Sequence, residues 1–422
     1  MTIGLTDSRD LRGGTVPWRS ADWSIPASCA PPDDRVDIAI IGSGIMGAIL
    51  AERLSSERHG IALVHRRPPG CGSTAASTAE IMWAMDVPMM HLAQKIGEDE
   101  AVRRWVRVYR AVRDFSARLD RLGIEGAKVE WPTLYLDGNI LDEDGLRAEA
   151  ALHARYDLPS RFAIADETAT RFGIAPRPAI LSDGGFEIDP VKLCHALIVR
   201  AARHGATVSY PLDVVALHPS SDGVELECAC GTRIAAREVI IASGYERAGL
   251  SLPPAFSLLS TFAIATPPGT APPSCSNAMI WEAAEPYLYI RTNQEGRIIA
   301  GGEDIDGVDE HKRNARIGEK AGVIAAKLET LLGMPIVVDR AWAATFGSSP
   351  DGLPAIGRER LLPHVWMSAG YGGNGIAFAA LAADLISREL SGARDPEADA
   401  FDPYRFEEGR ASNADESLRA VP

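Results

Sequence analysis

Residues 36–66 read VDIAIIGSGIMGAILAERLSSERHGIALVHR. A short apolar run, Val36 to Ile41, meets Gly42, Gly44 and Gly47 in GxGxxG spacing, and an amphipathic stretch precedes a second apolar run, Ile61 to Val64. The pattern predicts strand, tight turn, helix and strand. The three glycines do different things. Gly42 makes the turn, Gly44 lets backbone N–H groups approach a pyrophosphate, and Gly47 lets helix and strand pack closely. The helix beginning near Ser43 points its positive end at the phosphates. Such a unit belongs to a parallel α/β sheet that binds a dinucleotide.

The end of the second strand departs from the pattern. An Asp or Glu about 20 residues beyond the glycines ordinarily accepts both ribose hydroxyls of the adenosine half. Here His65 stands in that place, followed by Arg66 and Arg67. A neutral imidazole accepts one hydrogen bond and cannot act as a two-pronged acceptor. The arginines fit either a 2′-phosphate, hence NADP, or the solvated end of a strand near an adenine.

At 422 residues, 46% hydrophobic and 24% charged, the chain is long enough for two domains or one large α/β body with an inserted layer. A net charge of −14 argues against nucleic acid or an anionic membrane as a general partner. No apolar run reaches spanning length, and MTIGLTDSRDLRGG lacks the apolar core of a signal peptide, so a cytoplasmic protein is expected. The cysteines at 29, 71, 194, 228, 230 and 275 complete no metal set and read as free thiols.

Residues 1–35 are rich in Pro, Asp and Ser, and predict an extended arm lying on the body or partly disordered. After the second strand, RRPPGCGSTAASTAE crowds small and hydroxyl residues over Ser73 to Thr78, either for close approach to a flat or phosphorylated group or simply as a loop capping a helix. Val102, Trp105, Tyr109, Val112, Phe115, Leu119 and Leu122 recur at helical spacing, so 98–122 is a long amphipathic helix stopped by Gly123. A helix is also expected over Asp142 to Tyr156, and an extended segment over 178–189. Asp189-Pro190 is a helix start. Short strands follow near 207–210, 214–217, 224–228 and 232–234, then a buried strand, Glu238 to Ala242, ends in Ser243-Gly244. Alternating segments near 258–265, 287–291 and 297–301 suggest a separate antiparallel sheet, and 310–332 a helical stretch. Near the end GYGGNGI, Gly370 to Ile376, joins an apolar strand, Val365 to Ser368, to an apolar helix over 377–390. Two glycine turns suit a ligand with two ends.

Taken in order, GSGIMG at 42–47, GSTAAST at 72–78, EIDP at 187–190, IIASGY at 240–245, and SPDGLPAIG with GYGGNGI resemble the FAD-dependent oxidoreductases that include D-amino-acid oxidase, glycine oxidase, sarcosine oxidase and γ-glutamylputrescine oxidoreductase. The C-terminal motif most resembles the last of these. The resemblance implies FAD rather than a nicotinamide cofactor, and a two-domain fold of the glutathione-reductase and D-amino-acid-oxidase kind: a Rossmann-like FAD-binding domain with an inserted antiparallel-sheet substrate domain. The expected segments are an arm, 1–35; the FAD domain, 36–90, 186–254 and 341–392; the substrate domain, 91–185 and 255–340; and a tail, 393–422.

By resemblance Gly42, Ser43, Gly44, Ile45, Met46 and Gly47 surround the pyrophosphate, and His65, Arg66 and Arg67 lie near the adenosine with Val214 or Val215 at the adenine. Gly72, Ser73, Thr74, Ala75, Ser77 and Thr78 line the ribityl and isoalloxazine; Ser243 and Gly244 end the sheet strand beside them; and Gly370, Gly372, Gly373, Asn374, Gly375 and Ile376 close over the pyrimidine end. The implied reaction takes a hydride from the carbon next to nitrogen to flavin N5, after which the imine hydrolyses. Oxygen or an electron carrier accepts the electrons. Members acting on small amino acids clamp the carboxylate with guanidinium groups, but the matching positions are Phe346 and Gly373, and Arg291 is the candidate stand-in. Tyr287, Tyr289, Phe346 and Tyr371 are the candidate aromatic wall. Ala344 stands where the sarcosine-oxidase type carries its flavin-tethering cysteine, so the FAD is expected to be non-covalent. An amine or amino-acid oxidoreductase is the first reading; a dehydrogenase of a hydroxy acid or polyol phosphate, and an inactive binding protein of the same fold, are the alternatives.

Overall fold

A computed structural model describes residues 3–4, 10–18, 32, 35–124, 128–246, 252–273 and 277–407. Two sheets carry the fold. In the first, the parallel strands Thr207–Ser209, Ile61–Val64, Val36–Ile41, Arg233–Ile241 and Val365–Ala369 lie side by side, with Ala355–Arg358 antiparallel at the edge. Ile38, Ala39, Ile40 and the whole of Ile61–Val64 are buried, because helices or loops cover both faces. The helices Ile45–Ser56, Pro190–Arg203 and Gly375–Leu390 pack on one face.

The expected strands at 232–234 and 238–242 are one element, Arg233–Ile241. Its first half pairs with Val224–Cys228 in a half-solvated meander, and its second half enters the parallel sheet beside Val36–Ile41. Burial alternates and then becomes continuous along it, so Arg237 and Glu238 mark the crossing rather than a break.

The second sheet runs Arg12–Gly14, Arg340–Ser348, Ser257–Ala265, Ile298–Asp306, Leu288–Thr292, Met279–Glu282, Val129–Leu136, Ala179–Glu187 and Glu80–Ile81, with Ser160–Ala163 also on Ala179–Glu187. It is mixed rather than purely antiparallel, since Met279–Glu282 pairs parallel with Val129–Leu136. The helical stretch over 310–332 is two helices, Glu310–Ala315 and Ile317–Leu332, meeting at Arg316. Ile317–Leu332 buries Ala321, Ile324, Leu328 and Leu331 against one face of this sheet. The other face turns toward the glycine turns.

Local signals set the long helices. Glu98–Leu122 opens on three acidic residues and stops at Gly123 in the left-handed conformation. Asp189 accepts hydrogen bonds from the Val191 and Lys192 N–H groups at 3.0 and 2.9 Å and so starts Pro190–Arg203. The described part of the arm lies on the body: Ile3–Gly4 pairs with Val214–Pro219 and Arg12–Gly14 with Arg340–Ser348. Cys29, Cys275, most of the arm and the tail beyond 407 lie outside the described residues. Among the described residues no helix is long and apolar enough to cross a membrane.

Candidate active site

The first glycine turn separates two kinds of constraint. A Cβ on Gly42 would lie 2.3 Å from the Ala242 carbonyl oxygen, with φ at +118°, and one on Gly47 would lie 1.8 Å from the Gly42 oxygen. Both glycines are demanded by the fold itself. A Cβ on Gly44 would meet only the Thr74 hydroxyl at 3.0 Å, so the space beyond Gly44 is kept open for something else. The helix starts slightly later than expected, at Ile45, with Gly44 as an N-cap that offers no side-chain acceptor and no acidic residue in the first turn.

The Gly72–Thr78 segment folds over this turn. Thr74 accepts a hydrogen bond from the Ile45 N–H at 2.8 Å, and the Gly70 N–H donates to the Ser43 carbonyl. Among the described residues, the buried hydroxyl oxygens of Ser43 and Ser73 have no hydrogen-bond partner. Orphaned hydroxyls beside a helix N-terminus whose N-cap residue carries no side chain, and an open glycine, fit a pyrophosphate.

A cleft beside the turn is lined by Ile41, Val64, His65, Arg66, Leu212, Asp213, Val214, Ser243 and Glu246. Val215, next along the strand, is not among its lining residues. Arg66 and Arg67 both pair with the buried carboxylate of Glu246. The arginine pair therefore meets a carboxylate of its own chain, delivered from the loop after Ile241. The Ser243 hydroxyl, shut off from solvent, is also without a hydrogen-bond partner among the described residues.

At the other end, Gly370 and Gly372 take positive φ, and Gly372–Asn374 is a single 3-10 turn before the helix at Gly375. Asp86 fixes this turn from outside, accepting hydrogen bonds from the Gly373 N–H at 3.0 Å and the Asn374 amide at 3.2 Å. Tyr371 is turned inward: its N–H donates to the Tyr245 hydroxyl, and its own hydroxyl donates to Ser368 at 2.8 Å.

The second sheet faces these turns with Tyr287, Tyr289 and Phe346. The rings of Tyr287 and Tyr289 are 5.9 Å apart, Tyr289 lies across Gly301, and Tyr289 and Phe346 pack at the rim of the same apolar core. Ala344 joins Ala75 and Ala76 in one apolar cluster, and Trp342 donates its indole N–H to the Ala76 carbonyl at 2.8 Å. Arg291 goes elsewhere. It is 1% exposed, lies 3.1 Å from Glu187, donates to the Ile188 carbonyl at 2.9 Å and stacks 5.1 Å from the Trp18 ring. Glu80 sits directly across the strand pair from Glu187, and burial pushes its carboxyl up to about 8, against the pull of Arg291.

Sequence reasoning missed Glu80, Asp86, Glu246 and Asp304. Asp304 accepts the Tyr287 hydroxyl hydrogen at 2.7 Å while its other oxygen is buried without a partner among the described residues. Its one visible signal was the glycine pair Gly301-Gly302 inside a strand, which marks a bulge.

The FAD dependent oxidoreductase family DAO matches this chain over residues 37–389. The chain belongs to that family. Its cofactor is FAD, and the cradle around Gly44 fits that group. Within the DAO family, the chain is 24% identical over 385 residues to glycine oxidase of Geobacillus kaustophilus, covering 84% of this chain and 94% of the relative. It is also 24% identical to D-amino acid dehydrogenase 2 of Ralstonia nicotianae, over 84% of this chain and 97% of that one. Among solved structures, L-proline dehydrogenase from P. horikoshii superposes with a TM-score of 0.73 at 20% identity, covering 91% of this chain and all of that one, which speaks to the fold.

Proposed function

We propose that this DAO-family protein oxidises a C–N bond of an amine or amino acid. The observation that carries the reading is the convergence of a helix N-terminus with glycine at its N-cap and orphaned Ser43 and Ser73 hydroxyls with a tyrosine-lined wall on the opposite sheet. The names of similar proteins, glycine oxidase and D-amino acid dehydrogenase, support the same class of bond.

In this reading residues 42–47 and 72–78 hold the pyrophosphate and ribityl chain, and Asp86 keeps the 370–376 turn closed against the far end of the cofactor. Glu246, aligned by Arg66 and Arg67, stands in for the ribose-binding carboxylate that His65 cannot replace. FAD supplies hydride acceptance when bound. The protein's share is position and exclusion of water, with Tyr287, Tyr289 and Phe346 walling the substrate carbon. The imine product hydrolyses in water, and oxygen or an electron carrier takes the electrons. A cytoplasmic setting accords with free thiols at Cys71, Cys194, Cys228 and Cys230.

A dehydrogenase of a hydroxy acid or polyol phosphate would gain from basic groups at the wall, and Arg291, the candidate there, is committed to Glu187. Anaerobic mixing of the yellow holoenzyme with panels of amines, amino acids and hydroxy acids tests the reading. Amines or amino acids should bleach the visible flavin bands. Bleaching by hydroxy acids alone would overturn it.

A further inference from the structure

We propose that Arg405 is a positioning residue for the cofactor: from the C-terminal segment of the chain it seats the Phe256 ring on Gly370 and so fixes the 370–374 turn. The inference rests on the reading that sets this turn against the far end of FAD, and it gives the residues that follow the last long helix a part in holding that cofactor.

The turn cannot fix itself. Gly370, Gly372, Gly373 and Gly375 bring no side chains to pack, and glycine loses more freedom on being held than any other residue. What presses on the turn therefore sets its place. Asp86 grips its later half, at Gly373 and Asn374. Its first residue is gripped by packing. A Cβ on Gly370 would lie 2.4 Å from two carbons of the Phe256 ring, and one on Gly347 would lie 3.4 Å from the Gly370 Cα. The Gly370 backbone thus touches Phe256 and the strand Arg340–Ser348 at once.

Phe256, 8% exposed, is in turn placed by Arg405. The guanidinium carbon lies 5.3 Å from the centre of the Phe256 ring and 4.5 Å from that of Phe406, and the two rings meet edge to face at 6.1 Å. The guanidinium edges are already used. Nε and one terminal nitrogen donate to the Asp351 carboxylate at 2.9 and 2.7 Å, and the carbonyls of Pro354, Leu353 and Asp402 accept at 3.0, 2.8 and 3.1 Å. An arginine has five N–H donors in one plane, so only its faces are left for the rings.

The anchor does not depend on Arg405 alone. Asp351, shut off from solvent, also takes Arg104 of Glu98–Leu122 at 3.0 Å and the Ser349 hydroxyl at 3.0 Å. The C-terminal segment further backs the strand that delivers the turn: a Cβ on Gly357 would lie 2.7 Å from the Pro403 ring, and Gly357 pairs with Met367 in Val365–Ala369. A clasp that served stability alone would favour the protein equally with and without FAD. One that presses on the cofactor's turn makes cofactor affinity depend on it.

The test compares apoprotein and FAD-loaded protein, full chain, in wild type, Arg405→Met, Phe406→Ala and Asp86→Ala, by the FAD Kd from flavin fluorescence and by the rise in thermal midpoint that FAD gives. Arg405→Met should weaken FAD by roughly three- to thirtyfold and shrink that rise. Phe406→Ala, which leaves the Asp351 pair whole, should weaken FAD by about threefold or more, and it decides the matter where Arg405→Met does not fold. Asp86→Ala acts on the turn directly and should weaken FAD as well. Apo and holo midpoints that fall together, with a Kd within twofold of wild type, mark a merely structural role and overturn the proposal. If Asp86→Ala also leaves the Kd unchanged, the placement of the turn against the cofactor falls with it.

Discussion

Replacing Arg291 by methionine separates a structural arginine from a substrate clamp. The guanidinium is 1% exposed, lies 3.1 Å from Glu187 and donates to the Ile188 carbonyl at 2.9 Å; methionine keeps part of the stem and removes each of these contacts. Glu187 and, across the strand pair, Glu80 are left facing each other without the positive charge. Removing one partner of a buried pair costs about 3–5 kcal/mol. At the few degrees per kcal/mol usual for larger domains, the thermal midpoint should fall by roughly 5–15 °C. Burial already holds Glu187 above the ordinary carboxylate range against the pull of Arg291, and without that pull it rises further. The folded variant then keeps a proton that the unfolded chain releases, so the loss should be smallest in acid and grow as pH rises. Thermal and guanidinium unfolding at mildly acidic and mildly alkaline pH measures this. Turnover of carboxylate-bearing and carboxylate-free amines, measured alongside, should decline in parallel. A variant that melts at the wild-type temperature yet loses only carboxylate-bearing substrates would place Arg291 in the pocket and refute the reasoning.

Gly47→Ala should fail to fold stably, since its Cβ would sit 1.8 Å from the Gly42 oxygen, whereas Gly44→Val should fold yet purify colourless; circular dichroism and the visible spectrum tell them apart, and a yellow Gly44→Val protein would move the phosphate site elsewhere. Stability of the wild type should fall as pH rises from the ordinary carboxylate range to about 8, because folded Glu80 keeps a proton there that the unfolded chain has lost, with a slope of up to about 1.4 kcal/mol per pH unit; Glu80→Gln should flatten it in equilibrium unfolding. Glu246→Gln should weaken FAD by roughly tenfold in a flavin-fluorescence titration and reduce the preference of the apoprotein for ADP over 2′-deoxy-ADP, and an unchanged preference counts against a ribose contact. With Ala344 at the tether position, acid precipitation should release the yellow colour into the supernatant, and colour in the pellet would contradict non-covalent FAD.

Local chemistry is legible in the sequence, and long-range direction is not. The turn at Gly42 to Gly47, the Asp189-Pro190 helix start and the 98–122 stripe each depend on residues within a few positions of one another. The pairing of Arg66 with Glu246 spans 180 residues and gives no periodic trace. The alternating pattern around Arg291 places it on a strand, but which carboxylate it meets depends on Glu187 in a strand hydrogen-bonded elsewhere in the same sheet. The direction of Asp304 is not legible, although Gly301-Gly302 hints at the bulge, because the bulge reverses the inward and outward alternation on which strand reading depends. The split of 310–332 at Arg316 is hidden because no glycine or proline marks it at that residue.

The Arg12–Gly14 strand has a bearing on how the chain behaves when shortened. It covers the open edge of Arg340–Ser348, the strand that carries Ala344 and Phe346, and a few residues later Trp18 donates its indole N–H to the Ser77 carbonyl at 3.0 Å while its ring backs Arg291. A chain cut back to the first glycine turn would leave a nine-residue strand with a row of unpaired N–H and C=O groups, a template for pairing with a neighbour's edge. The leading residues thus serve as an aggregation guard and a cofactor-loop brace at once, and a tag or fusion that competes for that edge would disturb colour and solubility together.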